Sequence, residues 1–272
     1  MAESDRQEES AQPGPTEMFN IFFAGWAKSA TVRRIWRQVY GDDYPEEADP
    51  ASFVTLTDLR RIAREIRVGP GETFVDLACG RGGPGLWVAR ETGATLIGVD
   101  FSQVAVEHAA RSAIEFGLAE RARFQVGDFG ATGLPRAACN GAMSVDALWI
   151  VPDKSAATRE VARILRPGAR FVFTTWDVEV APPGWPPQVT DHRSVLQEAG
   201  FVVEAYQETS GWEHCQRAVY ESVRRAQANL IAEMGEGAAG ALLAEANLLP
   251  GLADGTDYLA HMRRILVVVR KV

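Results

Sequence analysis

The sequence predicts a doubly wound α/β fold: a mostly parallel seven-stranded sheet with a helical N-terminal cap and a C-terminal helical insertion. Three observations carry this. Short apolar runs alternate with amphipathic stretches from residue 73 onward, a βαβ succession. A glycine-rich turn joins the first run to a helix. Residues 17–67 are helical in period throughout, without strand-like alternation. With 272 residues, 46% of them hydrophobic and 24% charged, the chain can bury one α/β core and still supply a cap.

Residues 1–16 are polar, acidic and contain Pro and Gly, a composition that does not repay the entropy of ordering, so a flexible leader is expected. The cap is expected over residues 17–68. Met18, Phe22, Phe23 and Trp26 share one helical face, Val32, Ile35, Trp36 and Val39 a second, and Leu56, Leu59, Ile62 and Ile66 a third. Gly41-Asp42-Asp43-Tyr44-Pro45 breaks the second helix from the third. The sheet domain then runs over residues 69–272. Strands are expected at 73–77, 95–99, 123–126, 141–145 and 170–175, with helices at 84–91, 102–116 and 154–165 between them. Right-handed crossovers make such a succession doubly wound. A Pro-rich segment, Pro182 to Pro187, interrupts it, and a lid or insertion is expected at about 177–256. A helix at 191–199, a strand at 201–208, a helical stretch at 212–248 and a final strand at 265–269 complete the pattern.

The formal net charge of −8 argues against nucleic acid and acidic membrane surfaces as partners, since both are gripped by Lys and Arg. Cys79, Cys139 and Cys215 are odd in number and lack paired spacing, so a reducing compartment, the cytoplasm, is expected, with no disulfide framework. His214 beside Cys215 has no third ligand at usable spacing, and no metal is expected. The apolar run from Met18 to Trp26 is too short to span a bilayer and follows an acidic stretch, so neither signal peptide nor anchor is expected.

The chemistry is concentrated where Thr73-Phe74-Val75-Asp76-Leu77 runs into Ala78-Cys79-Gly80-Arg81-Gly82-Gly83-Pro84-Gly85. Gly80, Gly82 and Gly85 form G-x-G-x-x-G at a strand-to-helix junction, where backbone can approach a ligand at a helix N-terminus. Asp100, twenty positions after Gly80, ends the next strand, where a carboxylate can accept hydrogen bonds from both hydroxyls of a ribose. Asp128 ends the third. Three strands therefore finish in Asp or Gly at one edge of a Rossmann-like sheet, the edge where such sheets bind ligands.

These motifs, with Gly98-Val99-Asp100-Phe101-Ser102, Gly127-Asp128-Phe129 and Leu165-Arg166-Pro167-Gly168-Ala169-Arg170, resemble those of class I S-adenosylmethionine (SAM)-dependent methyltransferases, in particular bacterial natural-product and other small-molecule methyltransferases. The resemblance covers roughly Val75 to Trp176. It implies SAM as cofactor, with Ala78, Cys79, Gly80 and Gly82 near its methionine part, Asp76 at its amino group and Asp100 on the ribose. It further implies Asp128 at the adenine amino group, Phe101 and Phe129 flanking the adenine, and the strand end Ser144-Val145-Asp146 passing beneath the sulfonium. The residues agree: SAM carries an amine, a diol and an adenine but no phosphate, and Asp76 just before the turn would repel a pyrophosphate. That separates this reading from a nicotinamide-dependent (NAD) oxidoreductase, which shares the glycine fingerprint.

The resemblance also implies that a helical N-terminal segment and an insertion before the sixth strand cover a small-molecule acceptor. Several relatives place a histidine base just after the fourth strand, but here Trp149 and Ile150 stand in that stretch. His192, after the Pro-rich segment, is then the candidate base. Tyr40, Tyr44, Trp149, Trp176 and Trp185 are the aromatic candidates for the acceptor pocket. The missing histidine keeps a second class open, a SAM-binding protein of this fold catalysing a non-methylating, cyclase-like reaction. A homodimer pairing through the N-terminal helices is compatible with the sequence.

Overall fold

The computed structural model describes residues 14–272. Seven strands, β1 (Thr73–Leu77), β2 (Thr95–Asp100), β3 (Ala122–Val126), β4 (Cys139–Val145), β5 (Leu165–Val178), β6 (Phe201–Glu208) and β7 (Met262–Lys271), form one sheet in the order β3-β2-β1-β4-β5-β7-β6. The first five are parallel, and β7 runs antiparallel to both β5 and β6. All seven expected strands are present, and the order reverses between β1 and β4. That reversal opens a crevice at the carboxyl ends of the strands.

Alternation along the strands sends side chains to two opposite faces. Phe74, Leu96, Val172, Leu266 and Val268 pack on one face beneath α3 (Leu56–Glu65) and α4 (Gly83–Thr92), with Ala113 of α5 (Gln103–Glu115). Val75, Ile97, Val99, Phe171, Phe173 and Val267 pack on the other beneath α6 (Lys154–Ile164) and α7 (Arg193–Glu198). Each such fully buried side chain contributes on the order of 1.5–3 kcal/mol. Local caps set the helix starts. Thr55 and Asp58 make a capping box on α3, Ser102 Oγ accepts from Ala105 N–H at 3.0 Å on α5, and Asp153 caps α6.

The cap is built from two segments far apart in sequence. The helices α1 (Pro15–Trp26) and α2 (Ala30–Tyr40) pack against α8 (Trp212–Arg225), α9 (Gln227–Met234) and α10 (Glu236–Leu248) around Trp26, Trp36, Tyr220, Leu230 and Leu242. The α1–α10 approach depends on Gly25, where a Cβ would lie 2.5 Å from Ala238 Cβ. The helical insertion therefore lies between β6 and β7. It is not the insertion before the sixth strand that the resemblance implied, and the span 177–256 includes β6, a member of the sheet. Of the expected leader, residues 1–13 lie outside the described residues, while Pro15 and Thr16 open α1. Among the described residues no helix is long and apolar enough to cross a membrane.

The helix α3 is joined to the sheet by Arg264 of β7, a guanidinium buried to 1% exposure. It donates from Nη1 to Asp58 Oδ2 at 2.8 Å, from Nε to Asp146 Oδ1 at 3.1 Å and from Nη2 to Asp146 Oδ2 at 3.2 Å. Removing one member of a buried ion network leaves its partners uncompensated, which costs about 3–5 kcal/mol. Arg264→Leu should therefore destabilise the protein by about that amount in equilibrium urea unfolding. A loss of under about 1 kcal/mol would show that the network is not what joins α3 to the sheet.

Candidate functional site

The turn after β1 is the centre of the site. The Cys79 N–H donates to Val99 carbonyl at 3.1 Å, tying the turn to β2, and Gly80 N–H donates to Asp100 Oδ2 at 2.8 Å. Asp100 Oδ1 accepts from Ser102 N–H at 2.9 Å, so both carboxylate oxygens are anchored by backbone. Ala78 adopts a left-handed φ of 54°, a conformation that costs a residue with a Cβ and is characteristic of functional turns. Gly85, at the start of α4, leaves no room for a side chain: a Cβ there would sit 2.6 Å from Asp76 Oδ2.

Asp76 is buried beneath this turn, and its Oδ1 has no hydrogen-bond partner. Burial, then the neighbouring Asp100 charge, holds its carboxyl well above the usual range, with the Gly85 N–H pulling the other way. Burial likewise raises Asp100 against the pull of the Ser102 and Gly80 N–H groups. Two carboxyls that resist ionisation side by side form a place where a cationic group is favourable. Arg81 reaches across to Asp49 Oδ2 at 3.0 Å, leaving its Nε buried without a partner. A carboxyl oxygen and a guanidinium N–H, both unpaired and both on the wall of one cavity, match the ammonium and carboxylate of an amino acid.

That cavity is walled by Phe19 and Phe23 of α1, Asp49 to Ser52, Asp76, the turn residues Ala78 to Arg81, Asp100, Phe101 and the β4 end from Val145 to Ala147. A neighbouring cavity holds Ala78, Asp100, Phe101, Asp128, Phe129 and Phe19. The structure thus brings Asp76, Ala78, Cys79, Gly80, Asp100, Phe101, Asp128 and Phe129 to one edge, as the sequence led us to expect. Gly82 lies within the turn as the N-cap of α4. Asp128 is exposed, with Oδ1 accepting from Gly130 N–H at 2.7 Å. Ser144 is the exception. It is fully buried and its hydroxyl donates to Leu77 carbonyl at 2.8 Å, so it ties β4 to β1 while Val145 and Asp146 face the cavity.

A third cavity, under the cap, is largely apolar. Met18, Phe22, Phe53, Trp149, Trp176 and Leu242 form its walls, and it shares Phe19, Ala51, Ser52, Asp146 and Ile150 with the first. Trp149 and Trp176 meet edge to face at 6.3 Å. Of the other aromatic candidates, Trp185 stacks behind Trp149 at 4.3 Å, supporting the wall from outside. The Pro-rich segment carrying it is held down by Lys154, whose Nζ donates to the carbonyls of Trp149, Val151 and Pro187. Burial brings that amine down to about 8. Tyr44 is a core residue, and Tyr40 faces a separate cavity with Arg264, Cys215 and Asp43.

His192 does not reach an acceptor. Its side chain is completely buried, with Nδ1 2.9 Å from Asp177 Oδ1. Asp177 also accepts from Tyr206 Oη at 2.6 Å and Arg263 Nη2 at 2.9 Å, so the histidine belongs to a pin joining β5, β6 and β7. The candidate base is therefore withdrawn. Among the described residues there is no group of three His, Cys, Asp or Glu side chains able to hold a metal ion. The N-terminal helical segment was expected over the acceptor, but Phe19 and Phe23 were not named as wall residues. The aromatic run of α1 was visible, but that Phe23 faces the first cavity, Met18 and Phe22 the third, and Phe19 both depends on how α1 lies over the sheet.

Residues 74–168 match the family described as a methyltransferase domain. A 135-residue segment is 33% identical to Methyltransferase GfsG of Streptomyces halstedii, covering 47% of this chain and 46% of that protein. A 105-residue segment is 34% identical to a probable chloroplastic tocopherol O-methyltransferase of Oryza sativa subsp. japonica, covering 39% of this chain and 29% of that protein. The chain thus spans less than half the length of these relatives. Among solved structures, the [4+2]-cyclase SpnF superposes with a TM-score of 0.72 at 22% identity, covering 95% of this chain and 96% of that one. The geranyl diphosphate C-methyltransferase from Streptomyces coelicolor A3(2), solved with Mg2+, geranyl-S-thiolodiphosphate and S-adenosyl-L-homocysteine (SAH), gives 0.61 at 18% identity, covering 96% and 100%. The family match begins on β1 and ends inside β5, so the segment that resembles a methyltransferase domain spans the strands whose carboxyl ends wall the cavities at the glycine turn.

Proposed function

We propose that this chain transfers a methyl group from SAM to a small, largely apolar organic acceptor of natural-product type. The observation that carries this is the junction of two unlike cavities: an acidic one at the glycine turn and an aromatic one under the cap, sharing Phe19, Ala51, Ser52, Asp146 and Ile150. The orphaned Asp76 Oδ1 and Arg81 Nε suit the amino-acid end of the cofactor, and Asp100 its ribose. Phe101 and Asp128 suit its adenine. Bound there, SAM supplies a methyl group on a positively charged sulfur, already activated for displacement. The protein then has to align the acceptor and exclude water, which α1 and the tryptophan wall do by closing the cavity from the cap side.

A second reading is a cyclase-like reaction without methyl transfer. It is favoured by the likeness to SpnF, which extends over the cap as well as the sheet, and by the absence of any histidine among the residues walling the aromatic cavity. Incubation with methyl-labelled SAM and a panel of apolar hydroxylated acceptors separates the two. Label in the product with SAH released in step supports methyl transfer, and product formed without SAH supports the second reading.

Asp100→Ala should weaken SAH binding by about 1.5–3 kcal/mol, the worth of hydrogen bonds to a charged group, in calorimetry on the folded variant. An unchanged dissociation constant would mean that the ribose is held elsewhere.

The acidic site also sets a pH dependence. Asp76 must be ionised to meet an ammonium, and its value in the ligand-free protein, like that of the neighbouring Asp100, is raised. Their contribution to ligand-free stability is therefore present at low pH and lost as pH rises through those raised values, while ligand affinity moves the opposite way. SAH binding should tighten as pH rises through the raised Asp76 value, and Asp76→Asn should flatten that slope. Equal slopes in the two proteins would remove Asp76 from the ammonium site.

A further inference from the structure

The aromatic cavity holds two carboxylates in unlike states. Asp146 is engaged by Arg264 and by the Phe53 N–H at 3.1 Å. Glu245, on α10, faces the same cavity and has one hydrogen-bond partner among the described residues: Tyr220 Oη donates to its Oε1 at 2.5 Å. Tyr220 is fully buried on α8 and receives Gln216 Nε2 at 2.7 Å, which leaves its hydroxyl hydrogen for Glu245. The carboxylate is thus oriented from behind, with Oε2 left over on a wall otherwise made by Phe22, Phe53, Trp149, Trp176 and Leu242.

We propose that Glu245 is the polar anchor of the acceptor, taking a hydrogen bond from a hydroxyl or amino group on an otherwise apolar molecule seated between the tryptophans. This rests on the reading above that the aromatic cavity holds the acceptor. Three features support the anchor. A half-buried carboxylate without a cation is costly, and a ligand donor offsets that cost. Burial raises the Glu245 carboxyl, opposed by the Tyr220 hydroxyl, which makes it receptive to a proton donor. Among the described residues no Lys, Arg or His walls the cavity, so an acceptor bearing a carboxylate or phosphate finds no counter-charge from them.

The test is calorimetric titration of the SAH-loaded protein with three probes sharing one ring system: 2-naphthylmethanol, its methyl ether and 2-naphthoate. The alcohol should bind ~10-fold or more tightly than the ether, which cannot donate, and naphthoate should bind weakest. Glu245→Leu should bring the alcohol and the ether level. Glu245→Gln, which keeps an acceptor oxygen, should retain part of the preference, and unchanged SAH affinity in both variants reports an intact fold. Equal binding of alcohol and ether by the unmodified protein, or a preference that survives Glu245→Leu, overturns the anchor. Failure of all three probes to bind, with SAH bound normally, would instead count against the cavity as an acceptor site and remove the anchor with it.

Discussion

One buried guanidinium holds the architecture of the site in place. Arg264 rises from β7 between Asp58, at the start of α3, and Asp146, at the end of β4. Burial pushes the Asp146 carboxyl upward and the Arg264 charge pulls it back, so neither charge is tolerable without the other. Asp146 itself sits at a φ of 51°, a turn that sends the chain from β4 toward Trp149. Its Oδ2 also accepts the Phe53 N–H and so fixes the segment Ala51 to Phe53, which walls both cavities. The position of the acceptor wall relative to the glycine turn follows from this network.

The glycine turn supplies the complementary constraint. A turn of this kind in a nucleotide-binding sheet ordinarily offers N–H groups to phosphate, but here Gly80 N–H is spent on Asp100 and the adjoining Asp76 is buried and acidic. On the function proposed above, the same backbone geometry serves a cationic amino group in place of an anion. Arg81 and Asp49 extend the contrast of charges across the cavity. The aromatic cavity lies beside it with few polar groups, which suits an acceptor defined mainly by shape.

Much of this was legible in the sequence because it is local. Apolar periodicity located all seven strands, and the junction from Asp76 to Gly85 with Asp100 and Asp128 identified the cofactor edge. Trp149 and Trp176, expected at an acceptor pocket, wall the apolar cavity under the cap. What sequence reading lost depends on long-range packing. The partnership of α1 with α10 joins segments about two hundred residues apart, and only there does Glu245, in an Ala-rich stretch, become a cavity residue. His192 looked accessible because it follows a Pro-rich segment, yet Asp177 of β5, Tyr206 of β6 and Arg263 of β7 close around its pin. Of the expected strand end Ser144-Val145-Asp146, the last two residues wall the cavity, while strand alternation turns Ser144 into the core.

The reading of the glycine turn as an amino-acid and ribose site, rather than a pyrophosphate site, is tested most directly by titrating the intact protein with SAH and, separately, with NAD in the calorimeter. Stoichiometric binding of SAH with no measurable heat from NAD is the expected result. Binding of NAD with no response to SAH would contradict it.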